Sequence, residues 1–326
     1  MTKTTGMLLG KFMPPHQGHI YLANFAQSYV DELCIVVGSL KDEPIEGKLR
    51  FQWIKDMFPN CHVVHLTDEN PQYPEEHPDF WQIWHDSLIN IMPWKPDYVF
   101  AGEDYGTPLA KVLGSEFIPS NMGRDIVPIS ATMIRNNPMQ NWDYIAPAAQ
   151  PYFLNKVCLV GAESTGKSTL AKELSEHFKT VHVPEYAYTL IKEQGQGLTL
   201  EDIEKIARGQ IASEEALIKQ ANRVIICDTD LMTTTLWSHK LCEDCPYWIE
   251  EEAQNQTYNL TLLMDDDTKW VYDVHRYDTD NRADFTRKLE EQLKSQNRPY
   301  VKISGGWDER LESAKLAISE LINKNV

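Results

Sequence analysis

Two histidines three residues apart, His16 and His19, flank Gly18 in the stretch Phe12-Met-Pro-Pro-His-Gln-Gly-His. They follow a short apolar run, 6–12, and stand at the start of a helix expected over 19–30, so their spacing puts both rings on one helical face. A zinc protease would carry His-Glu-x-x-His, and no matching carboxylate lies inside this segment. Donors at a helix N-terminus, with a glycine that permits close approach, suit a polyphosphate instead. Imidazolium or neutral N–H groups would steady charge on a departing pyrophosphate. Taken alone, two turn histidines are more often structural. A second segment, Pro128-Ile-Ser-Ala-Thr-Met-Ile-Arg135, adds to them. It puts Ser130 and Thr132 at an N-cap and Arg135 on the first helical turns, so hydroxyls and a guanidinium converge as another phosphate site.

The second half carries Gly161-Ala-Glu-Ser-Thr-Gly-Lys-Ser168, which fits Gly-x-x-x-x-Gly-Lys-Ser between an expected strand, 155–161, and an expected helix, 167–178. Backbone N–H groups of Gly161, Glu163, Ser164, Thr165 and Gly166 would turn inward around ATP phosphates, with Ser168 and Thr169 entering the helix. Lys167 would reach the outer phosphates and Ser168 a magnesium ion. Asp228 and Asp230 end an apolar run, 223–230, where open α/β sheets bind ligands; either could serve the metal or accept a hydroxyl proton, or simply form the turn. Glu185 and Tyr186 follow another short strand and are placed for a small substrate's hydroxyls. Arg276, Arg282 and Arg287 lie in a polar stretch that reads as a closing lid or as a solvated loop.

The elements that must position these residues follow from periodicity. Runs at 6–12, 32–39, 61–66 and 97–103 read as buried strands, with helical spacing over 19–30 and 48–58. The pattern restarts with strands 155–161, 223–230 and 258–265 and a helix near 307–323. This alternation predicts two doubly wound parallel-sheet α/β domains, 1–152 and 153–326, separated by the Pro- and aromatic-rich stretch 141–153. The length of 326 residues accommodates two cores. A net charge of −17 argues against nucleic acid as a partner. No apolar run is long enough to span a membrane and the N-terminus lacks a signal-peptide pattern, so the expected address is the cytoplasm. Cys34, Cys158 and Cys227 fall in strands and read as core residues. His239-Lys-Leu-Cys-Glu-Asp-Cys245 contains a Cys-x-x-Cys pair, but a zinc site would need further ligands, and a plain loop or helix turn is the simpler reading.

Together, Gly10-Lys-Phe-Met-Pro-Pro-His-Gln-Gly-His19 and Ile129-Ser-Ala-Thr-Met-Ile-Arg135 resemble the signature motifs of the HxGH nucleotidyltransferases, which join a nucleoside triphosphate to a phosphomonoester. The Gly161–Ser168 loop in a following domain narrows the resemblance to the bifunctional nicotinamide-nucleotide adenylyltransferase/ribosylnicotinamide kinases, over nearly the whole chain. The resemblance implies a Rossmann-like transferase followed by a P-loop kinase, with ATP as co-substrate, Mg²⁺ as cofactor, and nicotinamide mononucleotide and nicotinamide riboside as small-molecule substrates. It implies that His16, His19, Lys11, Phe12, Gly18, Ser130, Thr132 and Arg135 hold ATP, and that Trp81 or Trp84 helps form the mononucleotide site. In the kinase it implies Lys167 and Ser168 at the phosphates and Asp228 as the base near the ribose hydroxyl. The departures are specific. Pro184 stands where the family often has a stacking Trp, Tyr188 replaces an Arg, and the lid reads Asp273-Val-His-Arg276 where a glycine would follow the Asp. Tyr186 or Tyr188 is then the candidate stacking surface. Only ten residues precede Lys11, so no helix-turn-helix module is expected. A homo-oligomer is compatible with the sequence.

Overall fold

A computed structural model describes residues 3–195, 197–270 and 281–324. The chain forms two compact units, Met1–Gln150 and Pro151–Val326. In the first, β1 (Thr5–Gly10), β2 (Glu32–Gly38), β3 (His62–Leu66), β4 (Tyr98–Ala101) and β5 (Glu116–Pro119) make a parallel sheet in the order β3-β2-β1-β4-β5. Its helices are α1 (Gln17–Tyr29), α2 (Gly47–Met57), α3 (Phe80–Ile91), α4 (Gly106–Leu113) and α5 (Ala131–Asn136). Strand side chains alternate between two cores because their period is two. Leu8, Ile35, Val37 and Phe100 pack with Ala23 and Ala26 of α1 and Ile54 of α2. Met7, Cys34, Val36 and Val99 pack on the opposite face with Leu88 of α3 and Leu109 and Leu113 of α4. Burial on both faces is why β1 and β2 read as unbroken apolar runs.

The second unit repeats the plan with β6 (Asn155–Val160), β7 (His182–Val183), β8 (Val224–Asp228), β9 (Leu260–Met264) and β10 (Tyr300–Ile303), in the order β10-β9-β6-β8-β7, all parallel. Its helices are α6 (Gln150–Phe153), α7 (Lys167–Phe178), α8 (Tyr186–Gln194), α9 (Leu200–Ile218), α10 (Leu231–Cys242), α11 (Tyr247–Asn255), α12 (Arg282–Ser295) and α13 (Trp307–Lys324). Leu170 and Leu174 of α7 and Ala314 and Ile318 of α13 cover one face of the sheet over Val157, Leu159, Ile226 and Leu262. Helices α9 to α11 share a core around Ile203, Ile206, Leu231 and Ile249.

Two strands escaped the sequence reading, β5 and β10. Both lie at sheet edges, and Glu116, Pro119, Val301 and Lys302 are exposed, so neither shows the apolar run of a central strand. Cys34, Cys158 and Cys227 are fully buried. Among the described residues no helix is long and apolar enough to cross a membrane. In each sheet the strand order reverses beside the first strand, β1 or β6, and the chain leaving that strand carries the residues singled out above.

Candidate active sites

In the first unit the chain leaves β1 through Lys11 and Phe12, passes the cis Met13–Pro14 bond, and enters α1 with His16 as N-cap. His16 Nδ1 accepts from the Gly18 N–H at 3.1 Å, and His19 Nδ1 accepts from the His16 N–H at 3.2 Å. The two histidines thus form a reciprocal capping box, a role usually filled by hydroxyl and carboxylate side chains. Their rings stack with centroids 3.7 Å apart, and Phe12 meets His19 edge-on at 4.8 Å. Because both Nδ1 atoms accept, each neutral ring carries its proton on Nε2 as a donor. Burial lowers the His16 pKa to about 4, helped by the Arg124 charge; burial also holds His19 well below its ordinary value, with His16 and Arg124 adding to it. Of the two ionisation states open at the sequence level, the neutral one holds. Gly18 has a local reason: a Cβ there would lie 3.0 Å from the His16 ring.

Arg135 joins the two signature segments, since its guanidinium donates to the Met13 carbonyl and, at 3.2 Å, to Thr132 Oγ1. Ser130 caps α5 by accepting from the Met133 N–H at 3.2 Å. Lys11 Nζ pairs with Glu43 at 2.8 Å, and the fully buried Arg50 holds the same carboxylate. Arg50 also donates to the carbonyls of Lys11 and Gly38, tying the ends of β1 and β2 together. Lys11, Phe12, His16, Gly18, His19, Ser130, Thr132 and Arg135 all line one cavity of about 730 Å³, and Trp81 and Trp84 line it too. The Trp84 indole is oriented by a 2.9 Å bond to the Pro71 carbonyl. Glu43, Arg50 and Arg124 were not found by sequence reasoning. Arg50 sits inside an amphipathic helix pattern, where an arginine reads as surface.

In the second unit β6 runs into the Gly161–Gly166 loop and α7. Gly161 is required at its position, since φ is +155° and a Cβ would lie 2.9 Å from the Met264 carbonyl oxygen. Thr165, fully buried, donates to the Ala162 carbonyl at 2.8 Å and so holds the loop's shape with its side chain. Lys167 Nζ donates to the Gly161 and Ala162 carbonyls, both at 3.0 Å, and therefore arches over the loop. Asp228, at the end of β8, is 1 % exposed and lies beside Ser168; burial raises its pKa, and Lys167 and Ser168 oppose that rise. Its Oδ1 has no hydrogen-bond partner. A cavity of about 380 Å³ is lined by Glu163 to Thr169, Pro184, Glu185, Tyr188, Asp228 and Trp237.

Several second-unit readings change. Asp230 does not reach that cavity: it is fully buried, caps α10 through the Thr233 N–H at 2.8 Å, and lies 3.6 Å from Arg298. Tyr186 packs its ring on Gly209 of α9, so closely that a Cβ there would lie 2.2 Å from the ring, and leaves the cavity wall to Tyr188. Arg282 donates to the Thr268 carbonyl and hydroxyl at 2.8 and 2.9 Å, and Thr268 donates to the Ser164 carbonyl at 3.0 Å, so it braces the phosphate loop from outside. Arg287 pairs with Asp284 and Glu291 on the α12 surface. Arg276 lies outside the described residues. Trp237 was missed, although a spacing of three and four from Thr234 and Thr233 put it on their helical face. The Cys242–Cys245 pair does not converge: Cys242 Sγ donates to the Leu198 carbonyl at 3.5 Å, and Cys245 instead groups with His239 and Glu250.

The chain thus has two parallel α/β units, one with a capped histidine turn after its first strand and one with a Gly-Lys-Ser loop after its first strand. Residues 156–310 match the family model described as an AAA domain. Over 345 aligned residues the chain is 30% identical to the trifunctional NAD biosynthesis/regulator protein NadR of Escherichia coli (strain K12), covering 99% of this chain and 83% of that one. It is 26% identical to the nicotinamide-nucleotide adenylyltransferase of Thermococcus kodakarensis over 56% of this chain and 98% of that one. A crystal structure of NadR protein in complex with NAD and AMP-PNP superposes with a TM-score of 0.81 at 20% identity, covering 99% of this chain and 97% of that one, which establishes the shared fold. The chain belongs to the NadR family.

Proposed function

We propose that the chain makes NAD in two ATP-dependent steps: its second unit phosphorylates nicotinamide riboside, and its first adenylylates the resulting mononucleotide. The observation that carries the second step is the single cavity that gathers Lys11, His16, His19 and Arg135 on one side and Trp81 and Trp84 on another. In that step a phosphate oxygen of the mononucleotide attacks the α-phosphorus of ATP and the bond to the bridging oxygen breaks, releasing pyrophosphate. The Nε2–H groups of His16 and His19 donate to the phosphates as charge builds on them, without giving up a proton. Lys11 and Arg135 supply the positive charge that the neutral histidines lack.

In the kinase step the ribose hydroxyl attacks the γ-phosphorus and ADP leaves. Lys167 follows the charge developing on the transferring group. The unpartnered Oδ1 of Asp228, beside Ser168, fits a magnesium ion, which Ser168 and Asp228 would hold and which would neutralise phosphate charge. The same buried carboxylate, on the wall of the cavity that the loop lines, is the proton acceptor for the attacking hydroxyl, while Glu185 serves the ribose hydroxyls. Pro184 on the cavity wall cannot stack as an indole does, so Tyr188 and Trp237 are the aromatic surfaces for the base.

The test is to give the purified protein ATP, Mg²⁺ and nicotinamide mononucleotide and assay NAD and pyrophosphate in equal amounts. Folded protein that makes neither contradicts the reading. A panel of nucleosides offered to the kinase then separates nicotinamide riboside from another base, the alternative that Pro184 motivates.

A further inference from the structure

Away from both cavities, three side chains of different chemistry meet where α10 turns into α11. His239 lies on the last turn of α10, Cys245 in the connecting turn, and Glu250 on the first turn of α11. His239 Nε2 is 2.9 Å from Glu250 Oε1, and the nitrogen, sulfur and oxygen that the three residues offer all lie within 4.8 Å of one another. We propose that His239, Cys245 and Glu250 form a zinc site that clamps α10 to α11.

The turn is built to hold Cys245 in place. Ser238 Oγ donates to the Asp244 carbonyl at 2.6 Å, the Cys245 N–H donates to Asp244 Oδ1 at 2.8 Å, and Glu243 takes a left-handed backbone with φ of 60°. Cys245 is only 8 % exposed and packs into the core shared by α9, α10 and α11. His239 and Glu250 are half-exposed, so an ion held by the three faces solvent with a fourth position for water. Asp244, next to Cys245 in the turn, and Glu250 place negative charge beside the Cys245 sulfur.

The donor set selects the metal. A thiolate, an imidazole and one carboxylate suit zinc, whereas magnesium and calcium take oxygen ligands. Zinc bonds of about 2.0–2.3 Å place tetrahedral ligand atoms about 3.5 Å apart, so the three atoms need shifts on the order of 1 Å. Binding breaks the Cys245 S–H bond, forms a sulfur–zinc bond and releases one proton to solvent. The consequence reaches the kinase cavity, because α10 also carries Thr233, Thr234 and Trp237 on its wall. The clamp itself is independent of what that cavity binds.

The experiment uses the full chain, freed of metal by chelation and titrated with Co²⁺, then with Zn²⁺. A sulfur-to-cobalt charge-transfer band, displaced by zinc, is expected in the wild type. Cys245→Ser should abolish the band, Cys242→Ser should keep it, and His239→Ala and Glu250→Gln should each weaken zinc binding at least about tenfold. No charge-transfer band in the wild type overturns the proposal. So does a band that survives Cys245→Ser, or one lost in Cys242→Ser. Should Cys245→Ser fail to fold, the half-exposed His239→Ala decides alone, and an unchanged zinc affinity there also overturns it. Zinc bound at Asp228 and Ser168 would give no thiolate band, so the two sites are told apart.

Discussion

The turn after β1 is capped by two histidine rings, and the turn after β6 is a glycine loop whose carbonyls are held by Thr165 and Lys167. In the first, His16 and His19 cap α1 with their Nδ1 atoms and so aim two neutral Nε2–H donors. In the second, Lys167 arches over the Gly161–Gly166 loop, and the buried Arg310 donates to the Thr165 carbonyl. The histidine turn therefore depends on protonation state as well as geometry. The glycine loop depends on where one side-chain cation, Lys167, is held. On the proposed function, one chain thus meets phosphate by two separate physical routes, and each route breaks in its own way.

The largest effect is expected from Lys167→Ala, which removes the cation arching over the glycine loop. Kinase turnover should fall by about 10²–10³-fold, with adenylyl transfer unchanged in the same preparation. Separate assays of each half-reaction measure both.

The pH profile sharpens the comparison next. With the His16 pKa lowered to about 4 and His19 held low, adenylyl transfer should stay level through the neutral range and collapse only as protons displace the capping bonds toward pH 4. The stability term has the same sign. Both rings are neutral when folded, while an unfolded histidine takes a proton below about pH 6.5, so their contribution is complete above that value and declines as pH falls toward 4. Thermal melts across this range check it, and a profile bending near pH 6.5 in the transferase contradicts it.

A smaller effect is expected from Gly18→Ala. Its Cβ would meet the His16 ring at 3.0 Å and shift the donors by a few tenths of an ångström, costing adenylyl transfer about tenfold and the kinase nothing. The smallest belongs to Ser130→Ala, which loses the α5 cap and should cost about 1 kcal/mol of stability, read as a lower melting temperature of the first unit.

Sequence spacing carried the central strands, the positions of the turns after β1 and β6 and the helices α1, α2, α7 and α13, because burial on both faces of a sheet writes long apolar runs. It did not carry β5 and β10, whose edge positions leave half their side chains in water. Glu43 and Arg50 were invisible for a different reason: a buried ion pair has no periodicity, and only the fold brings Glu43 to Lys11. Asp230 and Tyr186 looked like site residues because each stands beside one. A strand end offers two Asp positions and the helix start two Tyr positions, and only packing decides which points at the cavity. Cys242 and Cys245 show the same limit, since the Cys-x-x-Cys spacing suggested a pair while the turn directs Cys245 to His239 and Glu250 instead.

The separateness of the two turns is tested most directly with His19→Ala, given nicotinamide riboside, ATP and Mg²⁺ and followed for both products over time. Nicotinamide mononucleotide should accumulate at the wild-type rate while NAD fails to form. Loss of both products in folded protein, or NAD formed at an undiminished rate, would contradict the account.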